Sequence, residues 1–409
     1  LALDAADLRA LPESEGDWRA ALRGLTRAFP DDEPWHLIVA DRTRPAFFQP
    51  PDPGGLKWTA VATPDALDML ITSRNHDVKR EIAHDAGPED WIHALVSLQT
   101  MEGFGGAGNY GIARMNGGSS SRVLIGLAPA SEGSGDVDPS AWWRRDVLRL
   151  VGARTGLEGT ALLWLAPWPE THAFDLQALD PLFVEVCRRI RLVADGERIA
   201  AERSTSKAAR IAAKEAKGNT GDPWAPIHVA EGKAFTLGEG DWTHERLVTL
   251  LFAGDGREWI VPPLARSFPG EEVGPMVLIA EAFARGNSKT DGFRSRIVPV
   301  PEAMVGDLFG ERPVMVADGL LRDIAAADVA LRDGLALVAA GGERDKVAKP
   351  HYRRSEPARQ RLRREADRLF FPELWRRVAA REDADFTRLR LAFLMALADI
   401  ARREFVAAM

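Results

Sequence analysis

The sequence predicts an α+β protein, with a mixed α/β N-terminal body over residues 1–298 followed by a C-terminal helical bundle of the four-helix type over residues 299–409. Three observations carry this expectation. A chain of 409 residues exceeds the ~250–300 residues at which a single core stops growing, so two domains are expected. Upstream of Val298, short helix and strand patterns alternate between breaks such as Pro50-Pro51-Asp52-Pro53-Gly54-Gly55. Downstream, residues 317–340, 357–380 and 384–408 are long helical patterns separated by polar breaks. In the last, Phe386, Leu389, Phe393, Leu397 and Ile400 recur at three-to-four spacing, the apolar stripe of a bundle helix.

Within the body, residues 89–101 form a predicted helix. Pro88 is placed to start it, and Trp91, Leu95 and Leu98 lie on one face. Residues 122–127 are a strand candidate. Two amphipathic helices are predicted at 140–151 and 180–189, the second opened by Asp180 as N-cap and Pro181 in its first turn. An apolar run at 276–280, a polar turn at 284–290 and a strand at 296–300 follow, with a further helix at 302–309.

Composition limits the function classes. No apolar run approaches the ~18 residues of a membrane helix, so no membrane association is expected. The single cysteine, Cys187, excludes an internal disulfide and a multi-thiolate zinc site, which fits a reducing, cytoplasmic setting. The chain opens at Leu1 without a basic-then-apolar signal, so a missing native start is expected rather than secretion. A net charge of −7 argues against bulk electrostatic capture of nucleic acid; any such contact is local.

Three segments carry candidate binding chemistry. The first is the glycine-rich loop from Gly103 to Gly118. Gly106, Gly108 and Gly111 spell a formal G-x-G-x-x-G, but a helix rather than a strand precedes it and Asn116-Gly117-Gly118-Ser119 interrupts any following helix, so a dinucleotide site is disfavoured. Backbone without Cβ atoms can instead approach another surface closely. Asn109 adds an amide there, Arg114 and Arg122 lie close by for phosphates, and Ser119, Ser120 and Ser121 offer hydroxyls. The second is Arg203, Lys207, Arg210, Lys214 and Lys217, at spacings of 4, 3, 4 and 3. On a helix ended by Gly218 this spacing makes one basic face matched to a phosphate backbone. The third is the turn Ala284-Arg285-Gly286-Asn287-Ser288-Lys289-Thr290, rich in groups that reach base edges.

Catalytic constellations are poor. His76, His84 and His93 are eight and nine residues apart without a metal-binding pattern, and there is no nucleophile elbow or Walker A sequence. The sequence therefore predicts no enzyme, no cofactor and no metal.

Taken together, these segments resemble the CasA family, the large subunit of the type I-E CRISPR surveillance complex Cascade. The match rests on Gly103-Phe104-Gly105-Gly106 after a helix containing Ser97-Leu98-Gln99-Thr100, then Gly117-Gly118. It continues through Arg188-Arg189-Ile190-Arg191-Leu192, Gly221-Asp222-Pro223-Trp224, and Arg285-Gly286-Asn287 ahead of Arg296-Ile297-Val298-Pro299. The N-terminal strand region and the paired cysteines of some members are departures from the family pattern.

The resemblance implies a non-catalytic subunit that recognises the short motif flanking a target in double-stranded DNA, largely from the minor groove, and helps to open the duplex. A guide RNA held by other Cascade subunits reads the target, and a helicase-nuclease is recruited in trans. Carried over residue by residue, Gly103, Gly105 and Gly106 lie against the motif. Lys214 corresponds to a groove-inserted lysine, with Lys217 as the alternative. Asn287 and Ser288 sit at a strand-separating wedge where Lys289 substitutes for the family's glutamine. Asn75, Lys79 and Arg80 contact guide RNA or protein. Two rival readings stand beside this one: a nucleotide-cofactor enzyme using Gly106, Gly108 and Gly111, and a scaffold that touches only protein.

Overall fold

The computed structural model describes the chain except residues 6–9, 68–80, 118–121, 132–134, 155, 157, 171, 239, 253–255, 270, 272–273 and 287–288. Two compact units are present. One comprises Leu1–Asp241, Val261–Gly270 and Leu278–Ile297, the other Trp242–Ile260, Glu271–Val277 and Val298–Met409. The second unit thus includes two segments upstream of Val298.

In the first unit the Pro88–Met101 helix is the central support. Pro88 pre-sets the first turn, and the Gly87 N–H donates to Asp90 Oδ2 at 2.8 Å. Trp91, Leu95 and Leu98 are buried in a core with Trp164, Phe183, Ile190 and Leu192. The fully buried Gln99 locks the end of this helix. Its Nε2 donates to the carbonyls of Phe48 and Arg188 at 3.1 and 3.0 Å, and its Oε1 accepts the Cys187 and Arg188 N–H groups at 2.8 Å each. A buried amide with all four bonds met fixes position as well as burial.

A three-stranded antiparallel sheet places Arg198–Ser204 between Thr59–Val61 and Arg189–Asp195. Register runs from Arg189 opposite Ser204 to Asp195 opposite Arg198. Gly196, at φ 62°, makes the tight turn that joins the last two strands. A second sheet holds Met276–Gly286 between Lys289–Val300 and Val123–Pro129. The strands on either side of the expected polar turn extend further than the apolar runs suggested, and residues 287–288 between them lie outside the described residues.

The expected helix at 180–189 is instead the strand Leu179–Val184, paired parallel with Thr160–Leu162. The sign misread as an N-cap has a specific origin. Asp180 Oδ1 does accept a nearby backbone N–H, that of Leu182 at 2.8 Å, but as a local turn-like bond within an extended segment. Both carboxylate oxygens also bind Arg154, at 3.0 and 2.7 Å, which holds the chain straight.

Irregular backbone elsewhere is tied down by buried arginines. Arg191 donates to the carbonyls of Arg44 and Val39 at 3.0 Å each. Arg145 donates to those of Leu127 and Leu264 at 2.8 and 3.0 Å. Each guanidinium thus donates N–H groups to more than one carbonyl of other segments of the chain.

The second unit is helical. Glu311–Ala339, Glu356–Ala379 and Asp383–Ala408 pack on one another, and the short Lys349–Arg354 helix packs against the first two. Phe393, Leu397 and Ile400 of the predicted stripe are buried. Buried charge is paired: Arg377 donates to Asp323 at 3.2 Å and Glu373 at 2.9 Å, and Arg390 reaches Asp323 at 2.9 Å. No described helix is long and apolar enough to cross a membrane.

Candidate nucleic-acid interface

The Pro88–Met101 helix ends where Glu102 turns extended, and the glycine loop begins. Its two legs pair. Ile112 N–H donates to Glu102 O at 2.9 Å, Gly105 N–H to Asn109 O at 2.8 Å, and Asn109 N–H to Gly106 O at 3.0 Å. The legs touch so closely that a Cβ on Gly111 would lie 2.7 Å from the Gly103 carbonyl carbon. At the tip, Gly106 and Gly108 adopt φ values of 107° and 84°, the left-handed side that glycine tolerates.

The glycines divide into two groups. Gly108 and Gly111 are required by contacts within the protein, since a Cβ on Gly108 would lie 2.7 Å from Thr205 Cβ. Gly105 is exposed, and a Cβ on Gly106 would meet no atom within 4 Å. Gly105 and Gly106 therefore offer open backbone. Gly103 is buried, and its carbonyl accepts from Arg188 Nη2 at 2.6 Å.

The base of the loop is clamped by buried charge. Ala113 N–H donates to Glu185 Oε1 at 2.6 Å. Burial pushes the Glu185 carboxyl up to about 7, against the pull of that N–H and of Arg114 and Arg122. Arg114 donates to the carbonyls of Pro181 and Phe183 at 3.2 and 3.0 Å and lies over the Phe183 ring at 4.1 Å. Arg122 pairs with Asp222 at 2.7 Å. Burial raises the Asp222 pKa, but the Arg122 charge outweighs it and holds the carboxyl below its usual range.

The segment after Arg198–Ser204 docks on the glycine loop. Ser206 N–H donates to Gly108 O at 3.0 Å, and the Tyr110 hydroxyl donates to Lys207 O at 3.0 Å. Further on, Gly218 packs so tightly that a Cβ would lie 2.7 Å from the Met115 carbonyl carbon. Beside these contacts lies a groove of about 660 Å³ whose lining includes Phe104, Tyr110 and Gly111 of the loop together with Asp175, Gln177, Lys214 and Glu215.

No protein-family model and no curated protein matches the sequence. Among solved structures the chain is similar to CasA from Thermus thermophilus, with a TM-score of 0.60 at 15% identity over 99% of this chain and 83% of that one. It is also similar to the CRISPR-associated protein Cse1 from Acidimicrobium ferrooxidans, with a TM-score of 0.54 at 20% identity over 88% and 74% of the two chains. The chain has the CasA fold.

Within this CasA fold the basic residues are not the helical stripe their spacing suggested. Arg203 lies on a strand, Lys207 in a loop, and Lys214 in the 3-10 turn Lys214–Ala216, with Lys217 next in the left-handed region at φ 49°. The spacing of 4, 3, 4 and 3 is coincidental; Ile199, Ala201 and Ile211 follow sheet and core, not a helical face. Arg210 is buried, donating to the carbonyls of Leu163, Ala166 and Pro167 at 3.1, 2.8 and 3.0 Å. Burial pulls its pKa down to about 9, so it stays charged at neutral pH. Lys207 is paired with Glu170 at 2.5 Å. Lys214 and Lys217 are exposed and form no ion pair among the described residues.

Arg114 and Arg122 are likewise withdrawn from the phosphate role expected of them, the first by carbonyls and the second by Asp222. Asn109 stays in the loop turn, half-buried. Lys289 opens the strand Lys289–Val300. Asn287, Ser288, Asn75, Lys79 and Arg80, and the serines at 119–121, lie outside the described residues. The G-x-G-x-x-G reading finds no supporting context: a helix precedes it, and turns and bends follow Gly111 through Gly117.

Sequence reasoning missed Phe104, Tyr110 and Glu185. Tyr110 is one of two tyrosines in the chain. Two aromatic rings inside a glycine loop were the available signal.

Proposed function

We propose that the chain is a CasA-family protein and the large subunit of a Cascade-type, RNA-guided CRISPR surveillance complex, with no active site of its own. The observation that carries this reading is the docking of the glycine loop, with its open backbone at Gly105 and Gly106, on the segment that leads to Lys214: Tyr110 and Lys207, 97 residues apart, are hydrogen-bonded, and Phe104, Tyr110, Gly111 and Lys214 line one groove. Backbone without side chains enters a narrow minor groove, and a lysine beside it reads the acceptors that both strands present there. Such a device checks a short flanking motif in double-stranded DNA, whereas the guide RNA reads the target itself.

In this reading Gly103 sets the loop from below through Arg188, and Gly105 and Gly106 face the DNA. Lys214 inserts into the groove, or Lys217 in its place. Asn287, Ser288 and Lys289 at the hairpin end act as the wedge, and Asn75, Lys79 and Arg80 approach the guide RNA or a neighbouring Cascade subunit. The opened duplex then recruits the helicase-nuclease, and the whole assembly works in the cytoplasm. The test is a gel-shift titration of target duplex with the complex assembled around this chain. Gly106→Leu, whose side chain projects into open space, is expected to abolish duplex binding; unchanged affinity rejects the assignment.

A further inference from the structure

Phe104 stands out in the groove. It is 44% exposed although the two legs of its loop are hydrogen-bonded to each other. Its centroid lies 6.1 Å from that of Tyr110, with the two planes tilted by 53°. Two rings at this angle make a corner rather than a closed stack. A third planar group lies flat on one ring and meets the edge of the other, the geometry that aromatic quadrupoles favour.

The rest of the groove is asymmetric. Its floor is apolar, with Ile112, Met115 and Ile211 buried beneath it. Asp175, Gln177 and Glu215 also line it and are exposed; the Asp175 carboxylate caps its turn by accepting the Gln177 N–H at 3.1 Å. Lys214 lines the groove, and Lys217 stands three residues on. Carboxylates repel phosphate, carboxylate and amide oxygens accept hydrogen bonds from exocyclic amines, and exposed ammonium groups meet phosphate.

We infer that this groove holds one unpaired base of single-stranded DNA, stacked on Phe104 against Tyr110, with its edge towards Asp175 and Gln177 and its flanking phosphates towards Lys214 and Lys217. The inference rests on the reading under "Proposed function", because duplex opening beside the glycine loop supplies unpaired bases at that place. Base-on-aromatic stacking tolerates every base, so the groove retains an opened strand rather than reading sequence; bases with an exocyclic amine, adenine, cytosine and guanine, are modestly favoured over thymine.

The test uses the full chain and short single-stranded DNA containing one 2-aminopurine, whose fluorescence is quenched on stacking. Wild type is expected to bind and quench. Phe104→Ala weakens binding roughly 5- to 100-fold and removes the quench. Phe104→Leu, which keeps an apolar side chain without a π-face, behaves like the alanine variant, and Phe104→Trp restores both. Because Phe104 is exposed, all three variants are expected to melt with wild type.

Equal affinity and quench for wild type and Phe104→Ala overturn the inference, as does a single-stranded RNA of the same sequence that binds more tightly than the DNA. Target-duplex binding by the assembled complex separates the two levels. If it persists while Phe104→Ala changes nothing with single strands, the base site alone is wrong. If the wild-type complex does not bind duplex, the underlying reading is wrong.

Discussion

The Tyr110 hydroxyl donates to the Lys207 carbonyl at 3.0 Å, tying the glycine loop to a segment 97 residues further along the chain. Together with the Ser206-to-Gly108 bond at 3.0 Å, it sets how far the Lys214 turn stands from the open backbone of Gly105 and Gly106. Tyr110→Phe removes one neutral, solvent-accessible hydrogen bond, so a loss of about 0.5–1 kcal/mol in unfolding free energy is expected. Duplex affinity of the assembled complex should fall more than this stability change alone accounts for; equal affinity would show that the spacing is not used.

Lys214 lines the groove, Lys217 stands three residues on with its charge felt by Glu231, and both are exposed. If each neutralises one phosphate, Lys214→Ala and Lys217→Ala each reduce the slope of log affinity against log salt by about 0.9. If Lys214 reaches a base edge instead, Lys214→Ala relaxes the choice of flanking motif and leaves the slope nearly unchanged. Titrations at several salt concentrations, with two flanking sequences, distinguish the cases. Neither change for either lysine rejects both roles.

Gly106 and Gly111 should fail differently. Gly106→Ala places a Cβ in open space but at φ 107°, a strain of about 1–3 kcal/mol carried by the loop tip. Gly111→Ala drives a Cβ to 2.7 Å from the Gly103 backbone, so the legs cannot close. Amide hydrogen exchange is expected to rise at residues 105–109 in the first variant and across residues 102–113 in the second. Similar profiles would contradict the division of the glycines into open and internally required.

Glu185 ties stability to pH. Its carboxyl, at 4.5 in the unfolded chain, is pushed up to about 7 by burial. Because the folded value is the higher one, the contribution is complete below about pH 4.5 and is lost as pH rises to about 7. Relative to Glu185→Gln, wild type should lose about 3 kcal/mol over that window, and denaturant unfolding of both proteins at several pH values measures it. A difference that does not vary with pH removes the titration from Glu185.

In the helical unit, Arg377→Ala leaves buried Glu373 with only the longer contact to Arg376 at 3.7 Å, and Asp323 with Arg390 alone. A destabilisation of about 3–5 kcal/mol is expected. Thermal or urea unfolding checks it, and a change below about 1 kcal/mol would show that the pair is solvated.

Periodicity made several elements legible from the sequence. Trp91, Leu95 and Leu98, with Pro88 ahead of them, specified the helix that carries the glycine loop, and Phe393, Leu397 and Ile400 specified the last bundle helix. Those signals are local: one apolar face, one cap, one period. The glycine cluster itself was equally plain, although the sequence does not say which glycines serve internal packing, as Gly108 and Gly111 do.

The sequence by itself therefore determined the α+β class, the long C-terminal helices, and a glycine-rich loop at the end of the Pro88–Met101 helix. Only the tertiary structure decided which glycines face outward and which cations are exposed. Arg210 and Lys214 look alike in the sequence, yet one is spent on three backbone carbonyls and the other lines the groove. A charged side chain's role depends on whether buried carbonyls or carboxylates reach it first. Those partners come from segments tens of residues away, and no local pattern records them.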